Sequence, residues 1–246
     1  MAEIVEVYDL EGDLLALQDR KEFEKEIKAE YKDTKKITRK LKAIRLMLLN
    51  SDGRIYLQYR ARNKKSNPGL LDKSIGGHVK AGDSYALTVV KECAEELGFP
   101  AALVEKEEYR KAYRTTDLST VGIFYRIDLL EEFLSIRVSS NGQIIEQPYM
   151  TGMYVGYYDG PISFVDGESQ GVMSYSMDEL KFELEENPNN FTEDLKFMVA
   201  NYSEYLVPLK KSAHQKKYTL TGLKNELNTN PEEFDDALIA LLQSKK

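Results

Sequence analysis

The sequence predicts an α/β fold, an α/β/α sandwich around a mixed sheet, and three stretches carry that expectation. Leu41 to Leu49 and Ile55 to Arg60 are strand-like apolar runs joined by the turn Asn50-Ser51-Asp52-Gly53. Ser84 to Leu97 has apolar residues at helical spacing, shortly after the paired glycines Gly76-Gly77. From Leu180 onward the pattern is helical again, with aromatic-rich strand segments in between.

Taken in order, Glu3 to Arg20 reads as a β-hairpin, with Gly12 suited to the left-handed turn residue. Residues 21–40 are highly charged, with Phe23, Ile27 and Tyr31 as apolar anchors, which predicts a surface helix followed by a basic connector. In the next hairpin, alternation puts Ile55, Leu57 and Tyr59 on one face and Tyr56, Gln58 and Arg60 on the other. The cations Arg60, Arg62, Lys64 and Lys65 then lead into Asn67-Pro68-Gly69-Leu70, a cluster able to bind phosphates or simply to solvate the surface.

In the helix that follows, Ala86, Leu87, Val90, Cys93, Ala94 and Leu97 share one side, expected to face the core. Glu92, Glu95 and Glu96 fall within an arc of roughly 100° on the other side. Asp83 or Ser84 caps the start and Gly98 supplies the stop. Cys93, on the apolar side, reads as a small buried hydrophobe rather than a reactive thiol.

Beyond the helix, Tyr109 to Thr115 and Thr120 to Leu129 are expected to be strands, and 131–148 an insertion holding the turn Ser140-Asn141-Gly142. Met153 to Tyr158 is a further strand. Tyrosines 149, 154, 157 and 158 there are strand aromatics of the half-buried kind or, alternatively, a platform for a base. Ser176 and Glu179 form a capping box. Pro188 breaks the helix that follows, and Thr192 caps another running to about Leu206. The last helix, starting at Asn230-Pro231, has an apolar stripe of Phe234, Ala237, Leu238, Leu241 and Leu242. That stripe packs on the core, forms a homodimer contact or fills a partner's groove. The expected organisation is one domain over 1–205 and a helical extension over 206–246.

The net charge of −7 makes a broad basic footprint improbable and argues against a nucleic-acid partner. One cysteine excludes an intramolecular disulfide, and the absence of a signal-like or long apolar run points away from a membrane, toward a cytoplasmic protein.

Three carboxylates as close as Glu92, Glu95 and Glu96 repel one another, so their grouping calls for a cation, and oxygen-only ligands favour Mg²⁺ or Mn²⁺. Gly76 and Gly77, lacking a Cβ, let backbone approach a phosphate or offer a carbonyl to that ion. The bland reading is a solvated acidic helix face.

These residues resemble the signature of the Nudix hydrolases: Gly, five residues, Glu, seven residues, Arg-Glu, an aliphatic residue, any residue, Glu-Glu, any residue, Gly, aliphatic. Gly77, Asp83, Lys91-Glu92-Cys93, Glu95-Glu96, Gly98 and Phe99 keep its spacing. Asp83 stands for the first Glu, Lys91 for the Arg and Cys93 for an aliphatic, so charge is kept while reach changes. The resemblance implies that Glu92, Glu95 and Glu96, with a Gly76 or Gly77 carbonyl, hold Mg²⁺. It implies hydrolysis of a small-molecule diphosphate substrate, typically a nucleoside diphosphate linked to another group, by water activated on that ion. Arg60, Arg62 and Lys64 would orient the phosphates, and Lys91 would pair with Asp83. A loop glutamate before a late strand serves many members as extra ligand or general base, and Glu168 is the candidate. The Asp83 and Lys91 replacements motivate a rival: a catalytically weak nucleotide-binding module.

The basic run and Pro68-Gly69-Leu70 are similar to the branch that includes isopentenyl-diphosphate isomerases. There a reactive cysteine precedes Gly-His; here Gly76 precedes Gly77-His78, and Leu41 occupies the place of a histidine ligand. The only other histidine is His214. Isomerase activity is therefore disfavoured, and His78 is a residual ligand, a substrate contact or a loop hydrogen-bonding residue.

Overall fold

The computed structural model describes residues 2–139, 142–163 and 169–208. They belong to one compact unit, and the expected helical extension from residue 209 on, with the Phe234 to Leu242 stripe and His214, lies outside the described residues. The hairpin is present as β1 (Ile4–Asp9) and β2 (Leu14–Asp19), with Gly12 at φ 101° in its turn. Asp19 accepts hydrogen bonds from the backbone N–H groups of Lys21 and Glu22, starting α1 (Arg20–Thr34), whose Phe23 and Ile27 are buried.

Next come β3 (Arg39–Leu49), β4 (Ile55–Arg60), β5 (Leu71–Asp72), β6 (Ile75–His78), α2 (Tyr85–Glu96), β7 (Ala101–Leu103) and α3 (Tyr109–Thr115). The chain continues with β8 (Gly122–Val138), β9 (Ile144–Tyr157), β10 (Ser169–Tyr175), α4 (Met177–Glu186) and α5 (Glu193–Tyr202). Along the main path the sheet runs β10-β4-β3-β9-β8-β7. β3 organises it, pairing antiparallel with β1, β4 and β6 and parallel with β9. The sheet is mixed, as expected.

β3 is buried on both faces, which explains its near-continuous apolar run. Met47 and Leu49 join the core beneath α3, α4 and α5. Ile44, Leu46 and Leu48 point the other way, into the core beneath α2. At about 1.5–3 kcal/mol per fully buried large aliphatic side chain, this strand anchors both layers. Leu206 is still buried in the first core, and Val207 accepts a hydrogen bond from the Tyr157 hydroxyl.

Three expectations need correcting. Tyr109 to Thr115 is a helix, not a strand: Tyr109 and Tyr113 lie one turn apart and are both buried, so their spacing outweighs the β preference of aromatics. Residues 131–148 are mostly the outer part of the β8–β9 hairpin rather than an insertion. Register shifts at Arg126/Asp128 and Leu130/Phe133 break the alternation by which those strands would be recognised. Finally, α2 buries a different face. Thr88, Val89, Cys93 and Glu96 are buried, with Leu97 after them, whereas Ala86, Leu87, Val90 and Ala94 are exposed. The helix is rotated so that its Glu92–Glu96 edge meets the sheet.

No helix among the described residues is long and apolar enough to cross a membrane.

Candidate active site

α2 and β6 meet at one wall of a cavity of about 760 Å³. Ser84 caps α2, accepting from the Leu87 N–H, and Gly98 leaves the helix at φ 74°. Asp83 is not the cap; both its carboxylate oxygens accept from Lys91 Nζ, at 3.0 and 2.8 Å, holding the preceding loop to the helix. Gly77 matters because it has no side chain: a Cβ there would overlap the Glu92 carboxylate. Only glycine lets that carboxylate settle against the β6 backbone.

Glu92, Glu95 and Glu96 all line the cavity with Gly76 and Gly77. Glu92 and Glu96 share a hydrogen bond, while Glu95 is more exposed. Burial, reinforced by the Glu95 and Glu3 charges, pushes the Glu92 carboxyl up to about 7; Lys80 acts against it. Among the described residues no three His, Cys, Asp or Glu side chains are gathered about one point as ligands. The donor set nevertheless fits a hard divalent cation: oxygen donors only, a partly buried carboxylate penalised for its charge, and a glycine backbone pressed against it. A cation in that position would offset the charge that burial and Glu95 penalise on Glu92.

Beside these acids, lining the same cavity, lies a buried ionic network. Arg45, in the middle of β3 and 3% exposed, donates from Nε to Asp194 of α5 at 2.8 Å and from Nη1 to Thr151 at 2.9 Å. Its guanidinium lies 4.1 Å from the Phe133 ring centroid. Lys73 Nζ lies between Asp72 at 3.1 Å and Asp194 at 3.3 Å, and Thr192, the cap of α5, donates to Asp72 at 2.7 Å. The surrounding cations hold the Asp72 and Asp194 carboxyls below their usual range although burial opposes this. Buried charge is tolerable only when paired so completely, and this network, whose Arg45, Asp72, Lys73 and Asp194 line the cavity, joins β3, β5 and α5 at its floor.

The cationic candidates separate. Arg60 lines the cavity, but its guanidinium donates to the Asn67 carbonyl at 3.2 Å, the Ser66 carbonyl at 2.9 Å and Asp72 at 3.1 Å, so it clasps the loop that follows β4. Lys64 and Lys65 also line the cavity; Arg62 is exposed and is not among the lining residues. His78 is on the cavity wall with Nε2 3.3 Å from the Tyr149 hydroxyl. Burial and the nearby cations Arg137, Arg20, Arg45 and Lys73 hold its pKa well below normal, so the ring is neutral at pH 7. Glu168 lies outside the described residues. Tyr149, Tyr154, Tyr157 and Tyr158 are all buried in the packed interior, and none of them is among the lining residues.

Sequence reasoning missed Arg45, Lys73, Asp194, Arg137 and Gln147. One signal was available: a lone arginine within the apolar run Leu41 to Leu49 demands a buried partner. Nothing local marks Asp194 as that partner, since it is 149 residues away.

A mixed sheet between helical layers, with a glycine-backed acidic helix facing a cationic cavity, defines the fold and site class of a Nudix domain. The chain belongs to that family: the NUDIX domain model matches residues 39–195. An uncharacterized Nudix hydrolase of Pseudomonas aeruginosa is 38% identical over 61 residues, which are 25% of this chain and 36% of that protein. An isopentenyl-diphosphate Delta-isomerase of Serratia proteamaculans is 24% identical over 151 residues, 61% of this chain and 70% of the relative. A crystal structure from Deinococcus radiodurans shares the fold at TM-score 0.52 and 17% identity, covering 80% of this chain and 98% of that one.

Proposed function

We propose that this chain hydrolyses the diphosphate of a nucleoside diphosphate linked to another moiety, with a divalent cation. The observation that carries the reading is the Glu92–Glu96 pair, set against the Gly77 backbone at the wall of a cavity whose lining also holds Lys64, Lys65 and Lys80. Glu92, Glu95 and Glu96, with a Gly76 or Gly77 carbonyl, are the residues that would hold Mg²⁺ or Mn²⁺. When bound, that ion neutralises diphosphate charge and lowers the pKa of a water.

The chain's own residues do the rest. Lys64 and Lys65 offer charge to the phosphates, while Arg60, held by the Ser66 and Asn67 carbonyls, shapes the loop that carries both lysines. With no ion bound, burial and the Glu95 charge push the Glu92 carboxyl up to about 7; a helix glutamate left free by the ion is one candidate general base. Glu168 is the alternative base. Lys91, fastened to both oxygens of Asp83, fixes the loop between β6 and α2.

Isomerisation is disfavoured although relatives carry that name. The expected thiol position is Gly76, and Cys93 is wholly buried with its pKa pushed far up by burial and by Glu96 and Glu92. It cannot serve as an acid on a cavity substrate.

The test is release of phosphate products from nucleotide sugars, dinucleotides, NADH, CoA and nucleoside triphosphates, with Mg²⁺ or Mn²⁺ and with EDTA. Metal-dependent turnover of a diphosphate-linked compound is the expected result. Binding without turnover of any of them would instead identify a nucleotide-binding module.

A further inference from the structure

The wall formed by β8 and β9 carries polar groups that diphosphate hydrolysis does not use. Ser135 and Arg137 on β8 and Gln147 on β9 all line the cavity, and Ser135 pairs directly with Gln147 across the hairpin. Residues two apart on a strand share a face, so Arg137 is the diagonal neighbour of Gln147.

Two observations mark this place as built for a ligand. Gln147 is 2% exposed, yet its Nε2 has no hydrogen-bond partner among the described residues. Leaving a buried amide unpaired costs free energy, and natural folds rarely accept it without a reason. Arg137 donates from Nη2 to the Tyr149 hydroxyl at 2.5 Å but has no carboxylate within ion-pair distance among the described residues. Its neighbours differ: Arg45 pairs with Asp194, Arg60 with Asp72, and Arg20 with Glu3 and Glu24. No Phe, Tyr or Trp is among the described lining residues, so nothing there offers a stacking platform, and selectivity falls to hydrogen-bond donors.

We propose that Arg137 and Gln147 form a second anion subsite, which takes a phosphate carried by the substrate away from the scissile diphosphate. The substrate class is thus narrowed to diphosphates that bear a further phosphate outside the diphosphate, as on the nucleoside ribose. A guanidinium with free donors and a carboxamide N–H are the pairing that phosphate oxygens accept well.

The proposal deepens the hydrolase reading but does not depend on turnover, so the test has two arms. In the first, kcat/KM is compared within the pairs CoA and dephospho-CoA, and NADPH and NADH, which differ only by a distal phosphate. The wild type should prefer the phosphorylated member, and Arg137→Ala should lower that preference roughly ten- to hundredfold, the worth of a charge-assisted hydrogen bond. Gln147→Leu should lower it too while leaving the melting temperature equal or higher, because it removes an unpaired buried amide; a merely structural glutamine would give a loss of stability.

In the second arm, thermal shift in EDTA compares adenosine 3′,5′-bisphosphate with AMP, needing no chemistry. Greater stabilisation by the bisphosphate in the wild type, abolished in Arg137→Ala or, should that variant not fold, in Arg137→Lys with Gln147→Leu, supports the subsite even if nothing is hydrolysed. Equal response to both members in the wild type, or a preference that survives the variants, overturns it even if hydrolysis is robust.

Discussion

Glu92 rests against the backbone of Gly77 so closely that a methyl group at position 77 would occupy the space of its carboxylate. Gly76 differs: a Cβ there meets Lys73 Cε at 2.6 Å, the far part of a longer side chain. Gly77→Ala should therefore displace the acidic wall and cut kcat/KM by about a hundredfold or more, a 1 Å-scale misplacement being enough for that. Gly76→Ala should cost turnover less, because what it displaces is Lys73 of the ionic network and not an acid of the wall. Steady-state kinetics of the two variants side by side checks the order.

Charge placed at Glu92 is costly to the fold. Its carboxyl titrates at about 7 in the folded chain against an ordinary value near 4.5, so the folded state binds the proton more tightly and stability is lost as pH rises through that window. Glu92→Gln should raise stability at pH 8 by about 1–3 kcal/mol while abolishing turnover. Added Mg²⁺ should raise the melting temperature of the wild type and not of the variant. Calorimetry at pH 5 and pH 8 reads both effects.

The opposite sign applies at the cavity floor. Asp72 and Asp194 are held below their usual range, so their stabilisation is present above an unfolded value of about 3.9 and is lost as pH falls further. His78 adds to this from about 6.5 downward, because the folded state resists charging it. Because Glu92 acts in the opposite sense over pH 7 to 4, the His78 contribution is read by difference: the melting temperature of His78→Gln should fall less, or rise more, than that of the wild type, and the loss from Asp72 and Asp194 should follow below about pH 3.9.

Removing one member of the buried network should be severe. Asp194→Ala strands Arg45 and Lys73 and should cost about 3–5 kcal/mol, whereas Arg45→Met with Asp194→Leu should recover much of it. Urea denaturation of the single and double variants gives the numbers. Lys91→Ala at the partly exposed Asp83 pair should cost under about 1 kcal/mol.

Much of this architecture was legible along the chain, and the reasons for the rest are physical. The hairpin around Gly12, the Ser84 and Thr192 caps and the Ser176–Glu179 box are local devices, readable from a few adjacent residues. Tyr109 to Thr115 failed because a seven-residue helix and a short strand differ little in composition. The outer β8–β9 hairpin failed because its bulges break the period of two. The exposed side of α2 failed because the buried edge mixes Thr88 and Glu96 with Val89 and Cys93, so hydropathy alone does not select that face. At the site, the spacing from Gly77 to Gly98 brought out the acidic wall, but Asp194, Arg137 and Gln147 reach the cavity only through long-range pairing.

The central claim is that the α2 acids, placed against Gly77, hold the ion that diphosphate hydrolysis needs. The most direct test is Glu96→Gln, assayed for turnover of the best substrate and for Mg²⁺ binding by titration calorimetry. Loss of turnover by about a hundredfold or more, together with weakened Mg²⁺ binding in a variant that still melts cooperatively, is the predicted result. Undiminished turnover with unchanged Mg²⁺ affinity would contradict the account.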